Sequence, residues 1–206
     1  MVLEKAEPLS SLNLNFMQTL EQIAKQVKNC QKCDLYKLAK NPVLGEGNQN
    51  AKIMFIGEGP GAKEDELGRP FVGQAGQLLS KLLALASLKR EDVYIANVVK
   101  HRPPNNRDPL PDEVAACWPY LEQQIMIIKP KIIIPLGRHA MARFIPIGTI
   151  SKNQGRVFRR EIKNLGKLYF YPIYHPAAAL HQPSLYRDLE NAFKRLPAVL
   201  KKVEVN

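Results

Sequence analysis

The sequence predicts an α/β protein in which a parallel sheet is covered on both faces by helices. Three observations carry this. Short runs that are apolar nearly throughout recur at 52–57, 93–99, 131–137 and 167–175, as strands buried on both faces do. Apolar residues at helical spacing fill the segments between most of them. And 206 residues at 45% hydrophobic content suffice for one substantial core. Residues 1–206 are therefore read as one unit, with a loose lead-in at 1–13.

Phe16, Leu20, Ile23, Ala24 and Val27 mark a first helix that ends before Cys30. KIMFIG (52–57) is the first strand. Leu78, Leu79, Leu82, Leu83 and Ala86 form one face of a helix starting near Gly73. VYIANVV (93–99) is the second strand. Pro111 suits a first helical turn, where its missing N–H is no loss; it opens a helix whose apolar face runs from Val114 through Cys117, Trp118, Leu121 and Ile125 to Ile128. KIIIPLG (131–137) is the third strand, followed by a short helix through Met141 and Phe144. GRVFRREI and KLYFYPIYH flank a turn at Asn164 and Gly166, the second supplying the last central strand. Leu185, Leu189, Phe193 and Leu196 mark a closing helix.

Open parallel sheets bind ligands beyond the carboxyl ends of their strands. There the chain offers Glu58 and Gly59, then Asn97, then Gly137, then His175. An acid, an amide and an imidazole, far apart in sequence, would converge at one edge. Taken singly, each has a plainer reading: Asn97 as a strand-end turn former, His175 as a satisfied polar residue.

The first of these loops, GEGPGAKED (57–65), poses a question of sign. Glycines after a strand usually cradle a phosphate with backbone N–H groups. Here Pro60 removes a donor, and Glu58, Glu64 and Asp65 would repel the anion. About twenty residues on, where a ribose-binding acid belongs, the chain reads Gly76, Gln77, Leu78. These features argue against a dinucleotide-dependent oxidoreductase and leave a tight turn with solvated acids as the rival reading.

Lys and Arg total 30 against 19 acids, a formal net charge of +11. Such an excess either keeps a protein in solution or tracks nucleic-acid phosphates. No basic n-region followed by an apolar core opens the chain, and no uninterrupted apolar run spans a bilayer. Three cysteines make a poor disulfide framework, so a reducing, cytoplasmic setting is expected.

The continuation of the glycine loop, GEGPGAKEDELGRPFVGQAGQLL, together with NVVKHRPPNNRDPLPDE and HPAAAL, resembles the family 4 uracil-DNA glycosylases, iron–sulfur members of the uracil-DNA glycosylase superfamily. The likeness runs from about Cys30 to Leu180 in the same order. It implies a three-layer α/β/α sandwich around a short, mainly parallel central sheet. It also implies hydrolysis of the N-glycosidic bond of uracil in single- or double-stranded DNA, by flipping the base out and leaving an abasic site. Carboxylates then fit, because the deoxyribose gains positive charge as the bond breaks. By the same resemblance Phe71, otherwise a core aromatic, stacks on uracil. Asn97 reads its edge with one donor and one acceptor. His175 stabilises the leaving anion through O2, its backbone biased to extended geometry by Pro176. Glu58 and Gly59 shape the wall and place the attacking water. Where better-known relatives carry an aspartate, Gly59 stands, which leaves the general base open. Glu64 is expected to crowd the uracil C5 position and exclude thymine.

Cys30-x-x-Cys33 alone reads as a redox pair, a metal half-site or coincidence, and Cys117 as a plain buried thiol. The resembling family holds a 4Fe–4S cluster through four cysteines. Cys30, Cys33 and Cys117 match three of them, and His101 stands at the other. The implied ligand set is Cys3His around iron, with tetrahedral zinc or no metal as alternatives. Leu180 and Arg187 are candidates for a wedge into the gap left by the flipped base. No extra basic loop with a nucleophilic histidine separates Arg102 from Pro111, so simple hydrolysis is expected, by a monomer. The competing class is a catalytically impaired DNA-binding module of the same fold with a structural metal.

Overall fold

The computed structural model describes residues 18–205; Phe16 and the lead-in at 1–13 lie outside them. Helix α1 (Leu20–Lys28) begins later than the apolar spacing suggested. Thr19 and Gln22 set that boundary through a reciprocal capping box: Gln22 N–H donates to Thr19 Oγ1 at 3.2 Å, and Thr19 N–H donates to Gln22 Oε1 at 2.8 Å.

A two-residue strand β1 (Glu46–Gly47) precedes β2 (Ile53–Gly57), α2 (Ala62–Leu67), α3 (Gln74–Leu85), β3 (Tyr94–Asn97), α4 (Pro111–Ile128) and β4 (Ile132–Pro135). Helices α5 (Gly137–Phe144) and α6 (Ile150–Asn153) lead to the hairpin β5 (Phe158–Ile162) and β6 (Gly166–Phe170), then α7 (Pro176–His181) and α8 (Leu185–Val205). The sheet order is β1-β3-β2-β4-β6-β5. Its four inner strands are parallel, and the edges β1 and β5 are antiparallel.

Alternation along the buried strand β2 divides the core into two layers. Met54 and Ile56 join Ile23 of α1, Leu121 and Ile125 of α4 and Phe144 of α5. Ile53 and Phe55 pack with Leu79 and Leu82 of α3 and with Leu189 and Phe193 of α8. The parallel sheet covered on both faces, expected from the strand pattern, and the α/β/α sandwich implied by the resemblance are therefore present. Among the described residues, no helix is long and apolar enough to cross a membrane.

Register is what positions the site. Gly57 pairs with Asn97, Ile56 with Pro135, and Leu136 bridges to Ile173. The carboxyl ends of the parallel strands thus finish level, and Glu58, Asn97 and His175 emerge at one rim.

Candidate functional site

A cavity of about 410 Å³ opens at that rim, with Glu58, Gly59, Glu64, Phe71, Asn97 and His175 all in its wall. The sequence-predicted pocket residues are thereby brought together from four separate segments. The Phe71 and His175 rings stand 5.5 Å apart, centroid to centroid, inclined by 31°. Gly57 is the hinge point between the ring and the amide: a Cβ there would lie 2.7 Å from Phe71 Cζ and would collide with Asn97 Oδ1. The aromatic face, the amide and the imidazole are therefore close enough to touch one planar six-membered ring.

Asn97 is 1% exposed. Its Oδ1 is fully buried, yet no donor among the described residues reaches it. A buried acceptor without a partner costs free energy unless a ligand supplies the donor. Behind it, the Lys100 ammonium donates to Asn97 O at 2.8 Å and to Gln124 Oε1 at 2.6 Å. Complete burial pulls the Lys100 pKa down to about 7. Lys100 and Gln124 brace the strand end from below, and sequence gave no sign of it, since a lysine after an apolar run is seldom buried.

His175 caps helix α7: the Ala177 N–H donates to His175 Nδ1 at 3.1 Å. Its φ of −65° and ψ of 134° are the extended geometry expected before Pro176. Burial lowers its pKa to about 4, outweighing the attraction of Glu64. The imidazole is neutral at physiological pH. Because Nδ1 accepts, Nε2 carries the proton and is the available donor.

Glu64, expected to crowd the base at C5, lies in the cavity wall and is also tied to the backbone. Its Oε1 accepts N–H groups from both Val72 and Gly73, each at 2.8 Å. That carboxylate oxygen is committed to the backbone behind Phe71 at the amino end of α3. A Cβ at Gly59 would lie 2.8 Å from Val99 Cγ2, so a side chain there requires Val99 to shift.

Glu58 sits beside a charged group on the outer rim. His139 Nε2 is 3.8 Å from Glu58 Oε2 and 3.1 Å from Asp108 Oδ2, while Arg138 Nη2 pairs with Asp108 at 2.8 Å. Burial raises the Glu58 pKa; His139 and Arg138 oppose that, and Asp108 adds to it. These rim partners lie on α5 and on the loop before α4, and no spacing in the sequence marked them. Of the wedge candidates, Leu180 is exposed on α7 beside His181, which lines the cavity. Arg187 lies in α8 and is not in the cavity wall.

The cysteines gather at another corner. Cys30 follows α1, Cys33 caps a short 3-10 turn (Asp34–Lys37), and both pack against the core layer that contains Cys117 of α4. Burial raises the Cys33 and Cys117 thiols, and the neighbouring sulfurs raise them further. His101 lines one cavity with Cys30, and burial lowers its pKa. Among the described residues, the trio whose possible ligand atoms all lie within 4.8 Å of one another is Glu58, Asp108 and His139. Three thiols and an imidazole are a donor set that an iron–sulfur cluster or a zinc ion accepts.

A layered α/β fold with a polar, aromatic-walled slot at its strand ends is an enzyme-like architecture with room for one planar ring, and the sequence comparisons identify the family. The family model for the Uracil DNA glycosylase superfamily matches residues 44–200. A Type-4 uracil-DNA glycosylase of Saccharolobus solfataricus is 48% identical over 190 residues, covering 89% of this chain and 88% of its own. One from Archaeoglobus fulgidus is 48% identical, covering 87% and 92%. One from Thermotoga maritima is 44% identical, covering 90% and 91%. The chain belongs to the uracil-DNA glycosylase superfamily and, within it, to the type-4 family.

Proposed function

We propose that the protein is a DNA repair glycosylase that hydrolyses the C1′–N1 bond of uracil in DNA, releasing uracil and leaving an abasic site. The single observation that carries this is the buried, unpartnered Asn97 Oδ1 in the wall of the cavity. The uracil edge presents an N3–H to it and an O4 to the amide Nδ2. Cytosine presents an acceptor at N3 and a donor at N4, and would leave both amide atoms mispaired.

The chemistry follows from the residues around it. Phe71 stacks on the extruded base, and flipping costs a few kcal/mol, least at a mismatch or in single strands. As the glycosidic bond lengthens, its electron pair moves to N1, and negative charge spreads to O2 and O4. The neutral His175 donates from Nε2 to O2, where that charge develops. Glu58 faces the sugar that becomes oxocarbenium-like, and its carboxylate stabilises that charge and orients the water that attacks C1′. Water's oxygen bonds to C1′, its proton is lost to solvent, and uracil leaves as the anion. The net charge of +11 holds the DNA by its phosphates, so activity falls steeply with salt.

The same reading assigns Cys30, Cys33, His101 and Cys117 to a 4Fe–4S cluster. When bound, it supplies cross-links between the segment after α1, α4 and the end of β3, remote from the bond that breaks. Electron-transfer chemistry is not required of it.

A uracil-release assay on single-stranded and U·G duplex DNA tests the proposal, with His175→Ala and Asn97→Ala alongside. Release by the wild type and loss in both variants is expected. Binding of DNA without release by any of the three would identify a binding module instead.

A further inference from the structure

The geometry points to Arg90 as a positioning residue that presets Phe71 for stacking on the base. The inference rests on the reading of Phe71 given above. Phe71 has φ +51°, in the left-handed region that is strained for a non-glycine residue. It is 6% exposed, and its ring forms the cavity wall facing His175. Strain of this kind persists only where surrounding groups over-determine the backbone, and it concentrates where a functional side chain must be aimed.

Two charged side chains supply that constraint. The Arg90 guanidinium donates from Nη2 to Pro70 O at 2.8 Å and from Nη1 to Phe71 O at 3.0 Å. One planar fork therefore holds two consecutive carbonyls. From the other side, Glu64 takes the next two N–H groups, those of Val72 and Gly73. Peptide units 70 to 73 are thus gripped at four successive points, with the strained residue in the middle. Arg90 reaches this loop from a 3-10 turn before β3 (Arg90–Asp92), in a different segment of the chain. Partial burial lowers the Arg90 pKa, opposed by Glu46, and Arg90 is not among the residues of the cavity wall.

Releasing the fork frees Phe71 to return to an ordinary φ and swings its ring out of the wall. Contacts to phosphate and sugar remain. The base-dependent part of binding is therefore lost selectively.

Inhibition by free uracil, affinity for abasic-site DNA and thermal stability are measured for Arg90→Met, Arg90→Lys, Phe71→Ala and Phe71→Ala/Arg90→Met. Arg90→Met is expected to weaken free uracil by about tenfold, the scale of one charge-assisted hydrogen bond, while abasic-site DNA binds as before. Arg90→Lys does not restore uracil inhibition, because an ammonium cannot span both carbonyls as a fork. In the Phe71→Ala background, Arg90→Met has no additional effect on uracil. Penalties that add in the double variant, or equal losses for uracil and abasic-site DNA, overturn the assignment even if Arg90→Met lowers stability. Phe71→Ala with undiminished uracil inhibition removes the stacking reading itself, and the Arg90 assignment with it.

Discussion

The base slot and the cysteine corner both collect polar side chains from distant segments, but they are finished to different degrees. In the slot, nearly every group has its protein partner. His175 is oriented by the Ala177 N–H, Phe71 by Arg90, the loop after it by Glu64, and the Asn97 backbone by Lys100. One buried atom, Asn97 Oδ1, is left for the ligand. In the cysteine corner, burial and neighbouring sulfurs push the thiols up instead, which holds them protonated until a metal displaces the protons. Preorganised geometry finishes one site; on the proposed function, a bound metal group would finish the other.

Perturbing the two regions should therefore give opposite signatures. The largest effect belongs to the slot: His175→Ala and Asn97→Ala each lower kcat by about 10²- to 10³-fold, as for loss of one preorganised donor, with the melting temperature little changed. Steady-state uracil release and thermal melts check both. Cys117→Ser or Cys33→Ser should do the reverse. The roughly 400 nm thiolate–iron absorbance is lost, the Tm falls by roughly 10 °C, and kcat per folded molecule stays near wild type.

Gly76→Ala sits between these cases. Its Cβ would lie within bonding distance of Phe71 O, so the loop must move. Overpacking of this kind costs about 3 kcal/mol, a Tm loss of roughly 6–12 °C, and uracil affinity falls with it.

The smallest effect concerns pH. The raised Glu58 pKa means the folded state binds this proton more tightly than the unfolded chain does. Its carboxylate charge therefore opposes folding at neutral pH, and the penalty is relieved as pH falls through the raised pKa. Glu58→Gln should raise the Tm slightly near pH 7, lower kcat, and abolish the acidic limb of the pH–rate profile. The lowered His175 pKa works the other way. Its neutral form supports the fold fully above pH 6.5, and that support is lost as pH falls toward about 4.

Which parts were legible in the sequence follows the same division. Apolar strands and the helix opened by Pro111 are local signals, and they appear as expected. Strand ends plus motif resemblance located Phe71, Asn97 and His175, because parallel register forces strand ends to one rim. Helix α2 escaped because AKEDEL (62–67) is short and polar. The capping box at Thr19 and Gln22 was readable but was outweighed by the apolar spacing through Phe16. The supports were not readable at all. Gln124, Arg90 and His139 act through contacts about twenty or more residues away, Lys100 through one such contact and one three residues off, and charged or amide side chains at those positions ordinarily face water.

The orphan acceptor on Asn97 is most directly tested by comparing uracil with N3-methyluracil as inhibitors of uracil release. Methylation removes the N3–H and leaves the stacking face and both carbonyl oxygens in place. Inhibition by uracil, with N3-methyluracil weaker by at least about tenfold and that gap abolished in Asn97→Ala, is the predicted result. Equal inhibition of the wild type by both compounds would contradict it.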